Sequence, residues 1–284
     1  MKKMLALILT VLMLTVCAQA ENAETVYPQP DAETMIDLDG DGVQEILTWR
    51  NVEISEYDQI AEIRVRNDGG EEIGWGSELL YGAQVALADV DSDGLVEIFV
   101  TGDEMSDDYA TYCLHYSTEA LTPVLFADAG RGDNTDEYYD RGYGLLTQVS
   151  GSEIVLTGSQ DMLGTWMAER RYGLVDGVME LVDDGYWFCN VDVNDPEVWE
   201  YRSLNPVAPI PVTFVEDYEM TDGALQPGER ILLTRFDKVA DAFFVTEDGR
   251  TGYLTAQPDK EAGWGWTINN IPESELFETV PYSD

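Results

Sequence analysis

Asp89-Val90-Asp91-Ser92-Asp93-Gly94-Leu95-Val96-Glu97 runs directly into Ile98-Phe99-Val100, and fifty-two residues earlier Asp37-Leu38-Asp39-Gly40-Asp41-Gly42-Val43-Gln44-Glu45 runs into Ile46-Leu47. Carboxylates at positions 1, 3 and 5 of such a loop converge on a hard cation. Glycine at position 6 permits the sharp bend, and the carbonyl of position 7 with the Glu at position 9 completes an all-oxygen shell. The pattern predicts two calcium sites. One comprises Asp37, Asp39, Asp41, the Val43 carbonyl and Glu45; the other Asp89, Asp91, Asp93, the Leu95 carbonyl and Glu97. The helix–loop–helix calcium motif starts with a similar acidic run but needs a Glu at position 12. Thr48 and Val100 stand there, each inside an apolar run that reads as a strand.

The similarity extends outward from the loops. Glu45-Ile-Leu-Thr, Glu97-Ile-Phe-Val-Thr-Gly and Glu153-Ile-Val-Leu-Thr-Gly lie at intervals of 52 and 56 residues, which makes three repeats. In the third the acidic loop has shrunk to Ser150-Gly-Ser-Glu153, so the strand is kept and the cation site is lost. Short strands and tight turns fill each unit. Ile60 to Asn67 and Glu71 to Trp75 flank Gly69-Gly70, and Ala168 to Val175 and Val178 to Val182 flank Asp176-Gly177. The apolar run after each loop is expected to be covered on both faces, and the hairpins beyond it to alternate and be half-exposed. Sheets stacked side by side satisfy both patterns.

An Asp-x-Asp-x-Asp-Gly-x-x-Glu loop entering an apolar strand resembles the FG-GAP/VCBS repeats of integrin-α-type β-propellers. The likeness covers roughly residues 28 to 185. It implies that each loop joins two strands of a blade and binds calcium, and that three units build a small or incomplete propeller-like blade stack.

Three prolines in Ser203-Leu-Asn-Pro206-Val-Ala-Pro209-Ile-Pro211 mark an extended linker. Beyond it, Leu225-Gln-Pro-Gly228, Ala242-Phe-Phe-Val-Thr, the turn Glu247-Asp-Gly249-Arg and Gly252-Tyr-Leu-Thr255 resemble a bacterial Src-homology-3-like domain, a small β-barrel. The expected organisation is all-β: residues 1–20 a signal peptide, 21–202 the repeat domain, 203–211 the linker and 212–284 the barrel. Ile271 to Phe277 suits one short helix or turn anchored by Phe277.

Lys2 and Lys3, an apolar run from Leu5 to Val16 and the exit Ala18-Gln19-Ala20 describe a secretory signal cleaved after Ala20. The run has about a dozen residues against the roughly 20 of a spanning helix. Lipidation of Cys17 is the alternative, and bulky Val16 argues against it. Cleavage removes two lysines and no acids, moving the formal charge from -41 to -43. Such a surface repels nucleic acid and anionic membranes. With 44% hydrophobic and 11% aromatic residues the chain is nonetheless foldable. Cys113 and Cys189 remain, either as a disulfide permitted outside the cell or as buried thiols.

Reaction chemistry is sparse. The single histidine, His115, lies in an alternating strand with no nucleophile motif nearby, and no phosphate-cradling glycine loop occurs. Carboxylates crowd two loops, Asp103, Glu104, Asp107 and Asp108 in one and Asp136, Glu137 and Asp140 in another; a glycosidase-like acid pair could be built from either. Asp192-Val-Asn194-Asp195-Pro196-Glu197 looks like a decayed third loop, Arg131-Gly132-Asp133 is a chance-prone adhesion tripeptide, and Trp264-Gly-Trp266 offers indoles to core, sugar or peptide. The expected function is that of an exported bacterial calcium-binding scaffold, non-enzymatic, at the cell surface and facing a cell-wall, glycan or protein partner. The alternative is a secreted glycan or peptidoglycan hydrolase using one of the acidic loops.

Overall fold

The apolar run after each loop becomes the second strand of a four-strand meander in the computed structural model. The structure describes residues 25–56, 58–105, 108–127, 138–182, 186–237, 240–260, 262 and 265–282. In the first meander β1 (Thr34–Ile36), β2 (Glu45–Glu53), β3 (Gln59–Arg66) and β4 (Glu72–Gly76) pair antiparallel in chain order. The second has β5 (Tyr81–Ala88), β6 (Glu97–Asp103), β7 (Tyr109–Tyr116) and β8 (Leu121–Pro123) in the same order. After β9 (Leu125–Ala127), β10 (Tyr138–Tyr139) and β11 (Gly142–Tyr143) comes the third. It is β12 (Leu145–Ser150), β13 (Glu153–Asp161), β14 (Thr165–Val175) and β15 (Val178–Leu181). Asp176 and Gly177 between β14 and β15 both take positive φ, 50° and 78°, as a two-residue hairpin turn matched to strand twist requires.

The three sheets pack face to face. Leu47, Ile63 and Val65 of the first meet Val85, Leu87, Ile98 and Val100 of the second. The opposite face of the second, with Ala86, Phe99 and Cys113, meets Ile154, Leu156 and Tyr172 of the third. Successive residues of β6 thus serve two cores, and Ile98, Phe99 and Val100 are each fully buried. Each such side chain contributes about 1.5–3 kcal/mol relative to exposure. The run Ile154 to Leu156 is buried in the same continuous way. β2 departs from the two-faced expectation: it alternates buried and half-buried, because its sheet is the end of the stack and has no neighbour on one side. Exchanged strands stitch the stack together. β9 pairs parallel with β15, β11 pairs with β7, and Val26 bridges Leu87.

β16 (Trp187–Cys189) follows, then a short helix, α1 (Pro196–Tyr201). β17 (Ile210–Glu216), β18 (Glu219–Leu225), β19 (Ile231–Phe236), β20 (Asp241–Thr246) and β21 (Thr251–Thr255) form a sheet in the order β19-β20-β21-β17-β18. The expected small barrel is not closed among the described residues. Its end strands β18 and β19 do not pair, and β16 takes the outer edge of β19 while pairing with β14 on its other side. One twelve-stranded sheet therefore runs from the third meander into the C-terminal unit. Nor do the stacked sheets close a ring among the described residues. The proline-rich segment is tied down, with Leu204 bridging Ile231 and Pro206 bridging Phe277. β22 (Gln257–Pro258), β23 (Trp266–Ile268), β24 (Ile271–Pro272) and α2 (Glu273–Leu276) complete the chain, with Phe277 buried behind α2.

Cys113 and Cys189 are separate buried thiols, one in the core between the second and third sheets and one in the C-terminal core. Burial pushes both thiols well above their ordinary pKa. The segment read as a decayed third loop is instead a turn and a helix cap. Asp192 Oδ1 accepts from the Asn194 amide, and Asp195 Oδ1 caps α1 through the Glu197 amide at 2.9 Å. No helix among the described residues is long and apolar enough to cross a membrane. The expected signal peptide with Cys17, Asp107, the Arg131-Gly132-Asp133 tripeptide, Asp136, Glu137 and Trp264 lie outside the described residues.

Candidate metal centres

The two acidic loops join β1 to β2 and β5 to β6, and each ends on a Glu that is the first residue of the second strand. Their internal hydrogen bonds correspond position by position. The first Asp accepts from the glycine amide at position 6, Gly42 to Asp37 Oδ2 at 2.9 Å and Gly94 to Asp89 Oδ2 at 3.0 Å. The third Asp accepts from position 7, Val43 to Asp41 Oδ1 at 2.7 Å and Leu95 to Asp93 Oδ1 at 2.8 Å. The Glu reaches back to the amide of position 2, Leu38 to Glu45 Oε2 at 2.9 Å and Val90 to Glu97 Oε2 at 3.0 Å. These bonds hold the bend while its carboxylates repel one another.

Positive φ occurs twice in each loop. Gly42 and Gly94 have φ of 87° and 92°, as the bend at position 6 requires. Position 4 is left-handed as well, at 70° for Gly40 and 61° for Ser92, a feature that the reading of position 6 alone did not find. Gly40 is needed for a second reason. A Cβ there would lie 2.7 Å from the carbonyl oxygen of Gly94, because the two loops abut. The Val96 amide also donates to the Leu38 carbonyl at 3.0 Å, joining one loop to the other through the backbone.

Oxygens of Asp37, Asp39 and Asp41 lie within 4.8 Å of one another, as do those of Asp89, Asp91 and Glu97. Ligands at 2.3–2.6 Å from a calcium ion span up to about 5 Å, so both groups have the right size. Asp37 Oδ1 is buried and makes no hydrogen bond, which suits a cation ligand. The donor set is hard oxygen throughout, as calcium prefers. Two predicted carboxylate ligands stand outside these tight groups: Glu45 and Asp93. Val43 and Leu95, expected to offer carbonyls, are 41% and 36% exposed at the end of each bend.

The surroundings of the two sites differ. Both glutamates are buried, Glu45 at 3% and Glu97 at 1% exposed, and Glu97 adds a side-chain contact, its Oε1 lying 3.1 Å from His115 Nε2. Burial pushes the Glu97 carboxyl up from its ordinary pKa, with His115 opposing, while the bond to Glu97 raises the imidazole. Glu45 is also raised, by burial first and then by Asp39 and Asp41 with the Leu38 amide opposing. His115, placed by the sequence in an alternating strand with no nucleophile motif nearby, thus stands beside the second loop. The signal was in the pairing: Ile98 faces Leu114, so the next pair outward brings Glu97 beside His115. In the acidic loop after β6, Asp103 Oδ1 accepts from the Met105 amide, and Glu104 is 3.0 Å from Arg141 Nε. Arg141 also contacts Glu78 at 3.2 Å, so Glu104 sits in an ion-pair cluster.

No family model, no curated protein and no solved structure matches the chain.

Proposed function

We propose that the chain is an exported, calcium-binding, non-enzymatic scaffold whose cations brace a propeller-like stack of FG-GAP/VCBS-type blades, with a Src-homology-3-like unit behind it. One observation carries this reading: the loops share a hydrogen-bond frame and present oxygens at calcium spacing, one of them a buried oxygen without a hydrogen bond. Asp37, Asp39, Asp41 and Glu45 hold one ion with the Val43 carbonyl. Asp89, Asp91, Asp93 and Glu97 hold the other with the Leu95 carbonyl. Each loop brings four formal negative charges together, so the metal removes a repulsion that the protein otherwise bears and ties two strands into one rigid turn. Because the loops touch, both ions act on the seam between the first and second sheets. The exposed loops and acidic surface of a braced stack suit display to a cell-wall, glycan or protein partner outside the cell, where calcium is millimolar.

Calorimetric titration of the purified protein with calcium tests the reading. Two ions per chain are expected, with dissociation constants of about 0.1–1 mM, the range of extracellular modules. No binding up to about 10 mM, ten times the weakest constant expected, removes it.

A further inference from the structure

The C-terminal unit contains a cavity of about 400 Å³ that the calcium reading does not use. Trp266, Pro272, Phe277, Val280 and Tyr282 give it apolar walls, and Glu273, Asp259 and Glu278 also line it. No lysine, arginine or histidine is among its described lining residues. Glu273 is 5% exposed. Its Oε1 accepts from the Tyr282 hydroxyl at 2.5 Å, and its Oε2 is buried with no hydrogen-bond partner. Burial pushes the Glu273 carboxyl up, with the Tyr282 hydroxyl and the Trp266 amide opposing. The Trp266 indole is held in place by its own bond, Nε1 to the Asp161 carbonyl at 2.9 Å.

A buried carboxylate oxygen without a donor is costly; Oε2 is covered in this structure, and a cationic donor in the cavity satisfies both its charge and its lone pairs once the Glu273 carboxylate turns toward it. Aromatic and aliphatic walls around it suit a slender apolar stem and add attraction for a cation over a ring face. An anion meets three carboxylates there and is repelled. A bulky guanidinium fork needs two parallel acceptor oxygens, whereas one oxygen of Glu273 is already taken by Tyr282. We propose that this cavity is a binding site for a primary alkylammonium group on an aliphatic stem of lysine length, with Glu273 as its counter-ion and Trp266 and Phe277 against the stem. Such a group is carried both by lysine side chains and by free diamines.

Titrations in chelator, followed by amide chemical shifts, separate the possibilities. Nα-acetyl-lysinamide is the peptide-like probe, cadaverine the free diamine, and Nα-acetyl-norleucinamide the matched stem without charge. At least one amine is expected to shift residues of 259–282 saturably, the norleucine probe to leave them unmoved, and Glu273→Gln to weaken the amine by about tenfold or more. Preference for the lysinamide assigns the site to a protein or peptide partner, and preference for cadaverine to a small metabolite. Absence of saturable amine binding overturns the proposal. So does equal binding of the norleucine probe, or equal amine binding by a folded Glu273→Gln. Should that variant fail to fold, the comparison of amine with norleucine probe on the unaltered protein still decides.

Discussion

In the first loop the Glu45 carboxylate ties down the Leu38 amide at the end of the stack, where β2 is half-buried on its outer face. In the second, Glu97 makes the same bond to Val90 beneath a strand enclosed on both sides, and adds His115. Nine residues of like pattern therefore make like bends and bury both carboxylates, Glu45 at 3% and Glu97 at 1% exposed, while the position of the sheet in the stack decides what else each carboxylate meets. The difference separates two jobs that one motif can do. Every loop of this type can hold its turn through its own amides, but only the enclosed one is also a structural peg in the middle of the fold.

Replacing the two glutamates breaks the comparison most forcefully. In chelator, Glu97→Ala leaves the buried Val90 amide without its acceptor and the half-buried His115 without its partner, a loss of about 2–4 kcal/mol. Glu45→Ala is expected to cost about 1 kcal/mol less, since Glu45, though 3% exposed, ties down the Leu38 amide without a partner like His115. Urea unfolding of both variants checks the order, and a larger loss at Glu45 contradicts it.

A pair of glycine substitutions sharpens the contact between the loops. Gly40→Ala places a Cβ against the Gly94 carbonyl at φ of 70°, so it combines left-handed strain with a backbone clash across the seam. Gly42→Ala meets nothing within 4 Å at φ of 87° and has strain alone. The expected losses are about 2–3 and about 1–2 kcal/mol respectively. Calorimetry on the same variants should show Gly40→Ala weakening calcium at the second loop as well as the first. Equal losses, or an effect confined to the first loop, would mean that the seam transmits nothing.

The loops, the strand after each and the all-β class were legible because each depends on local chemistry: spaced carboxylates, glycine at the bend and apolar runs between turn residues. The two-faced burial of Ile98 to Val100 was legible for the same reason. The alternation of β2 was not, since which sheet ends a stack is set by packing between units and not by any one strand. His115 beside Glu97 and Gly40 against Gly94 depend on register across a sheet and contact between sheets. Neither follows from spacing along the chain. The open C-terminal sheet was hidden similarly: Trp187 to Cys189 is a strand of three residues, and only its pairing with both β14 and β19 makes it the joint between two units.

Asp37→Asn with Asp89→Asn keeps an acceptor for the Gly42 and Gly94 amides while removing a charge from each cluster, so it separates turn from cation. The free energy of unfolding of this double variant and of the unaltered protein, each in chelator and in 1 mM calcium, is the measurement that bears most directly on calcium bracing. For dissociation constants of about 0.1–1 mM the unaltered protein should gain about 0.8–2.8 kcal/mol from two ions, and the double variant almost none. An equal gain in both proteins, or no gain in either, contradicts the account.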